Sequence, residues 1–153
     1  MTTQQGVAGQ RAVTKGTVLV VDDERAVREL LKLHLENDGY AVIAVADAVV
    51  GGKALIERVR EIDLLIVDAN LPYMSGIEFA SALIADTTVP AIPMILITGH
   101  DNLADRASLL DVPCLIKPFG ADRLLKLVET SLSRAPGEAA TATRTGRHKA
   151  LSA

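Results

Sequence analysis

The sequence predicts an α/β protein, a five-stranded parallel sheet with helices on both faces. Three observations carry this. Five short apolar runs are spread over residues 17–134. Each is apolar at consecutive positions, as strands buried on both faces require. Helix-patterned stretches fill every gap between them, and this βαβαβαβαβα alternation implies parallel strands joined by crossover helices.

The first strand is Thr17–Val21, a β-branched run. Glu24–Asn37 follows as a helix, with Val27, Leu30, Leu31 and Leu35 at helical spacing and Gly39 placed to end it. Tyr40–Ala46 is the second strand. A helix is expected over 48–60 around Ala54, Leu55 and Val59, although Gly51 and Gly52 each cost roughly 1 kcal/mol there. Leu64–Val67 is the third strand and Gly76–Asp86 the third helix. Met94–Ile97 is the fourth strand, and a helix is expected over 102–110. Cys114–Ile116 is the last strand and Asp122–Ser133 the last helix.

Both ends read differently. Residues 1–16 and 135–153 are small, polar and unpatterned, so both are expected to be disordered tails around a single domain at 17–134. Each tail carries a net charge of +2, which leaves −7 on the domain out of a total of −3. An acidic domain makes a poor nucleic-acid surface. Aromatics are only 3% and Trp is absent, which argues against base or sugar stacking. The single cysteine, Cys114, excludes an internal disulfide or a multi-cysteine zinc site. It reads as a small hydrophobe of the core. His34, His100 and His148 are too scattered for a metal cluster. No apolar run approaches a membrane span and residues 1–17 lack a signal-peptide core, so a cytoplasmic protein is expected, with no membrane partner.

In open α/β sheets, ligands bind beyond the C-terminal ends of the strands. Asp22 and Asp23 end the first strand, Asp68 the third, Thr98 the fourth and Lys117 the fifth. Crowded carboxylates repel, and a hard divalent cation such as Mg²⁺ relieves the repulsion. Lys117 and Thr98 suit the oxygens of a phosphoryl group, and Asp68 suits a nucleophile that forms an aspartyl-phosphate. Each residue alone has a plainer reading: Asp22-Asp23 as helix caps, Asp68 as a turn former, Lys117-Pro118 as a strand exit. Their order on one rim argues for a shared site. Tyr73 and Met74, beside Pro72, are placed to shape a partner-docking loop.

The segments VLVVDDE (18–24), LLIVDANLPYMSGIEF (64–79), PMILITGH (93–100) and LIKPF (115–119) resemble the receiver domain of bacterial two-component response regulators. The resemblance implies a flavodoxin-like (βα)5 fold and a phosphoacceptor at Asp68. It implies Mg²⁺ held by Asp23 directly, by Asp22 through water, by Asp68 and by the backbone carbonyl of Asn70. It implies Thr98 and Lys117 as contacts of the phosphoryl group and a cis bond at Lys117–Pro118. A histidine kinase or histidine phosphotransfer protein would be the donor, and a downstream protein would read the change. Two departures stand out. Cys114 occupies the position where the family usually carries an aromatic. The 19 residues from Thr98 to Lys117 are fewer than is usual, with Asp111-Val112-Pro113 before the last strand.

The function expected is therefore a stand-alone receiver, monomeric or weakly dimeric, acting by protein contact or as a phosphate shuttle or sink. It is a signalling switch rather than an enzyme. A phosphorylation-independent pseudo-receiver adaptor is the alternative. A metal-dependent phosphatase of the haloacid-dehalogenase type would need a D-x-D on the first strand, which the adjacent Asp22-Asp23 does not provide.

Overall fold

A computed structural model of the chain describes residues 13–99 and 110–134. Five strands, β1 (Thr17–Val21), β2 (Ala41–Val45), β3 (Leu64–Asp68), β4 (Met94–Thr98) and β5 (Cys114–Ile116), form one sheet in the order β2-β1-β3-β4-β5. All four pairings are parallel. The helices among the described residues are α1 (Arg25–Asn37), α2 (Ala48–Glu57), α3 (Gly76–Ala85) and α4 (Ala121–Ser133). The helix expected over 102–110 lies outside the described residues apart from Leu110, which is in a turn, and so do both expected tails beyond Val13 and Arg134.

Strand period sorts the core into two layers. Leu19, Val21, Leu65, Val67 and Leu96 face α2 and α3, with Leu55, Ile77 and Phe79. Val18, Val20, Leu64, Ile66, Ile95, Ile97 and Leu115 face α1 and α4, with Leu31, Leu35, Leu124 and Val128. Burying each such side chain contributes about 1.5–3 kcal/mol. β1 and β3, in the middle of the sheet, are buried on both faces, and this is why they read as unbroken apolar runs. β2 is an edge strand and only partly buried.

The boundaries shift where local chemistry overrides pattern. α1 starts at Arg25 because Glu24 takes the extended N-cap position. It ends as expected at Gly39, whose φ of 97° suits glycine and lets the Tyr40 N–H reach the Leu35 carbonyl at 3.0 Å. α2 stops at Glu57 rather than residue 60. The chain turns at Arg58 so that Ile62, 4% exposed, enters the core. Asp47 caps α2 by accepting the Val50 N–H at 2.8 Å.

Two glycines are there for close packing. A Cβ on Gly51 would stand 2.8 Å from a methyl of Val21, so glycine lets α2 lie against β1. A Cβ on Gly76 would stand 2.0 Å from the Asp68 carbonyl oxygen, a backbone atom that no rotamer change can move. Gly76 opens α3, which Ser75 and Glu78 fix through a reciprocal capping box. Gly51→Ala is expected to destabilise by about 1–2 kcal/mol, strain exceeding the gain in helix propensity. Gly76→Ala should cost more, about 3 kcal/mol or above, by displacing the end of β3. Urea denaturation midpoints of the two variants check the ranking, which equal losses would contradict.

Candidate functional site

The order of the strands reverses between β1 and β3, which are neighbours although β2 lies between them in the chain. The crevice at such a switch point is where doubly wound sheets carry ligands. Asp22 follows β1 and Asp68 is the last residue of β3. Their side chains are 1% and 4% exposed. Sheet hydrogen bonding continues beneath them: the Asp22 N–H reaches the Val45 carbonyl at 3.1 Å and the Ala69 N–H the Ile97 carbonyl at 2.7 Å.

The two aspartates are held alike. Asp22 Oδ1 accepts the Glu24 N–H at 2.8 Å, and Asp68 Oδ1 accepts the Asn70 N–H at 2.9 Å. Each therefore spends one oxygen on its own turn and offers the other to the crevice. Lys117 occupies the crevice. Its Nζ lies 3.0 Å from Asp68 Oδ2, 3.5 Å from Asp22 Oδ2 and 3.3 Å from Glu24 Oε1. The Lys117 N–H donates to the Thr98 carbonyl at 2.8 Å, and the peptide bond to Pro118 is cis, as the resemblance implies. Thr98 is wholly buried at the end of β4.

The electrostatics follow from burial. Loss of water pushes the Asp22 carboxyl up to about 6. The Glu24 N–H opposes this, the charge of Asp68 adds to it, and Lys117 offsets part of the rise. Burial alone would lower the Lys117 ammonium. The hydrogen bond and charge of Asp68, helped by Asp22 and Glu24, outweigh it and raise the group. Asp22, Asp23, Glu24 and Asp68 each present a carboxylate oxygen, and these oxygens lie within 4.8 Å of one another. Such an all-oxygen donor set, with the Lys117 ammonium against it among the described residues, fits a hard divalent cation of the Mg²⁺ class.

Of the residues singled out in the sequence, Asp22, Asp23, Asp68 and Lys117 are brought together, and Asn70 and Thr98 flank them. Glu24 belongs to the cluster as well, although sequence reasoning assigns it only to the start of a helix. Its signal is its place as the third acid of the Asp22-Asp23-Glu24 run. Arg28 is a further addition; its guanidinium donates to the Asp22 carbonyl at 2.7 Å, one turn into α1. Tyr73 is fully exposed at φ 67°, the centre of a γ-turn in which the Met74 N–H reaches the Pro72 carbonyl at 2.8 Å. With Met74 it borders an apolar groove between α2 and α3, floored by Gly52, Phe79 and Leu83. Cys114 is half-buried against the α2–α3 layer and burial pushes its thiol up, in keeping with a core role. His34 is half-buried on α1. His100 and His148 lie outside the described residues. No helix among the described residues is long and apolar enough to cross a membrane.

The raised Asp22 carboxyl has a consequence for stability. A proton held more tightly in the folded state stabilises fully below about 4, and that contribution is lost as pH rises through about 6. With divalent cations chelated, Asp22→Asn is expected to gain roughly 1–3 kcal/mol at pH 7 and little at pH 4. Thermal melts of both proteins across this range check it. A variant less stable than wild type at pH 7 would contradict the electrostatic account.

Comparison with known proteins agrees with the geometry. The response regulator receiver domain model matches residues 18–129. The response regulator MprA of Mycobacterium leprae is 34% identical over 127 residues, 80% of this chain and 54% of MprA. YkoG of Bacillus subtilis, an uncharacterized transcriptional regulatory protein, is 32% identical over 121 residues, 77% of this chain and 51% of that one. The chain thus spans about half the length of the curated relatives it matches. Among solved structures, a response regulator receiver domain protein from Clostridium thermocellum superposes with a TM-score of 0.70 at 26% identity, covering 78% of this chain and 95% of its own. The chemotaxis response regulator CheY4 of Vibrio cholerae gives 0.66 at 26% identity, covering 77% and 99%. By its sequence match and its fold, the chain belongs to the response regulator receiver domain family of two-component systems.

Proposed function

We propose that this receiver domain takes a phosphoryl group onto Asp68 from a histidine kinase or histidine phosphotransfer protein. The observation that carries the reading is the Asp68 carboxylate. It is buried to 4% exposure, held between the Asn70 N–H and Lys117 Nζ, and packed into a four-carboxylate cluster. A bare cluster of this kind repels a phosphorylated donor. Asp22 and Asp23, with Asp68 itself and the Asn70 backbone carbonyl, would hold Mg²⁺. When bound, the ion neutralises charge on the transferring oxygens.

The chain's own groups do the rest. An oxygen of Asp68 attacks phosphorus, forming an acyl phosphate as the phosphorus–nitrogen bond to the donor histidine breaks. The leaving imidazole takes up a proton from water. Lys117, already beside Asp68 Oδ2, pairs with a phosphoryl oxygen, and the buried Thr98 hydroxyl bonds another. Positioning and charge compensation are the main demands of such a transfer. The protein ends covalently changed, so we class it as a switch rather than an enzyme. Its altered surface acts on a downstream protein or passes the phosphoryl group on. The relatives' naming as response regulators and as a transcriptional regulatory protein supports a place in regulation but not one particular target.

Acetyl phosphate with Mg²⁺ is expected to add one acid-labile phosphoryl group to the wild-type chain, read by intact mass, and none to Asp68→Asn. Wild-type protein left unmodified at saturating donor would refute the proposal. Asp23→Ala is expected to weaken Mg²⁺ binding by about 10–100-fold. Isothermal titration measures it, and unchanged affinity would remove Asp23 from the ligand set.

A further inference from the structure

Lys117 has three carboxylate partners, and they are not equivalent. Those of Asp68 and Asp22 are 4% and 1% exposed, whereas that of Glu24 is 60% exposed and lies at the rim. The two buried partners also belong to the set that would hold Mg²⁺ with Asp23 and the Asn70 carbonyl, a set that does not need Glu24. A cation on them competes with the ammonium for the same lone pairs and repels it. Glu24, at the rim and outside that ligand set, is the partner left to keep its contact under those conditions.

From this geometry we infer that Glu24 is a positioning residue, the rim carboxylate that retains Lys117 at the site when Asp22 and Asp68 are engaged by a cation. The inference deepens the phosphoacceptor reading and rests on it. Glu24 is built for a fixed reach. Its backbone N–H is tied to Asp22 Oδ1 at 2.8 Å, and as the N-cap residue of α1 it starts from a set point. From there its side chain spans the crevice to Lys117 Nζ at 3.3 Å. Aspartate at this position would keep the charge and, one methylene shorter, lose the contact. Charge and contact are thereby separable. The negative charge also suits a helix N-terminus in either residue, so α1 is left intact.

The experiment uses the full chain and Mg²⁺ alone as the probe. Mg²⁺ affinity is measured by calorimetry, and the Lys117 side-chain NH₃⁺ resonance, assigned with Lys117→Arg, is followed by ¹H–¹⁵N spectroscopy. In wild type the resonance should stay visible and slow to exchange at saturating Mg²⁺. In Glu24→Gln and in Glu24→Asp it should broaden into solvent exchange on saturation, with Mg²⁺ affinity down about two- to five-fold. Glu24→Asp matching wild type in both readouts would overturn the inference, because charge alone would then suffice. Glu24→Gln matching wild type would overturn it as well. Either result is distinct from failure of the phosphoacceptor reading, which falls only if acetyl phosphate leaves wild-type Asp68 unmodified.

Discussion

Two carboxylates with almost no exposure to water stand side by side at the switch point of the sheet, and one ammonium holds them there. Asp22 and Asp68 would repel each other unshielded, and their desolvation compounds the cost. Lys117, at 3.0 Å from one and 3.5 Å from the other, supplies the compensation. The compensation is incomplete. Three carboxylates share that one ammonium, Asp23 adds a fourth to the cluster, and Asp22 remains raised to about 6. A site left short of positive charge is matched to a divalent cation. Its stability is lowered by that shortage, a common trade at functional sites.

The scaffold serves this arrangement at each level. The parallel order β2-β1-β3-β4-β5 sets the ends of β1 and β3 next to each other, and β4 and β5 bring Thr98 and Lys117 to the same rim. Two local turns each occupy one aspartate oxygen and so aim the other. Behind Asp68, the absence of a side chain at Gly76 lets the start of α3 lie directly against the backbone at the end of β3. The loop that leaves Asp68 then runs through Leu71, which is buried, to Tyr73, which stands in solvent above the α2–α3 groove. The proposed phosphoacceptor and an exposed apolar surface are separated by only a few residues of chain.

Much of this is legible from the residues. Unbroken apolar runs identify β1 and β3, because central parallel strands have no solvent-facing side. The rim acids, Thr98 and Lys117 follow from where those runs stop, and Asn70 from the resemblance. Element ends are less legible. Asp68 and Thr98 lie one residue past the apolar runs Leu64–Val67 and Met94–Ile97 and still pair as the last strand residues, since backbone pairing does not depend on side-chain polarity. The end of α2 is set by the need to bury Ile62, a tertiary demand that periodicity does not carry. Gly51 looks like a weakness of that helix and is instead the condition for its contact with Val21. The part played by Glu24 is hidden in the sequence because it lies in a contact with Lys117, 93 residues away.

The most direct measurement is a crystal structure of the chain grown with Mg²⁺ and beryllium trifluoride, which mimics an acyl phosphate. The account predicts the fluoride adduct on an Asp68 oxygen, Mg²⁺ beside Asp22 and Asp23, and the Lys117 ammonium on a fluorine. An adduct on another carboxylate, or Lys117 directed away from Asp68 with both ligands bound, would contradict it.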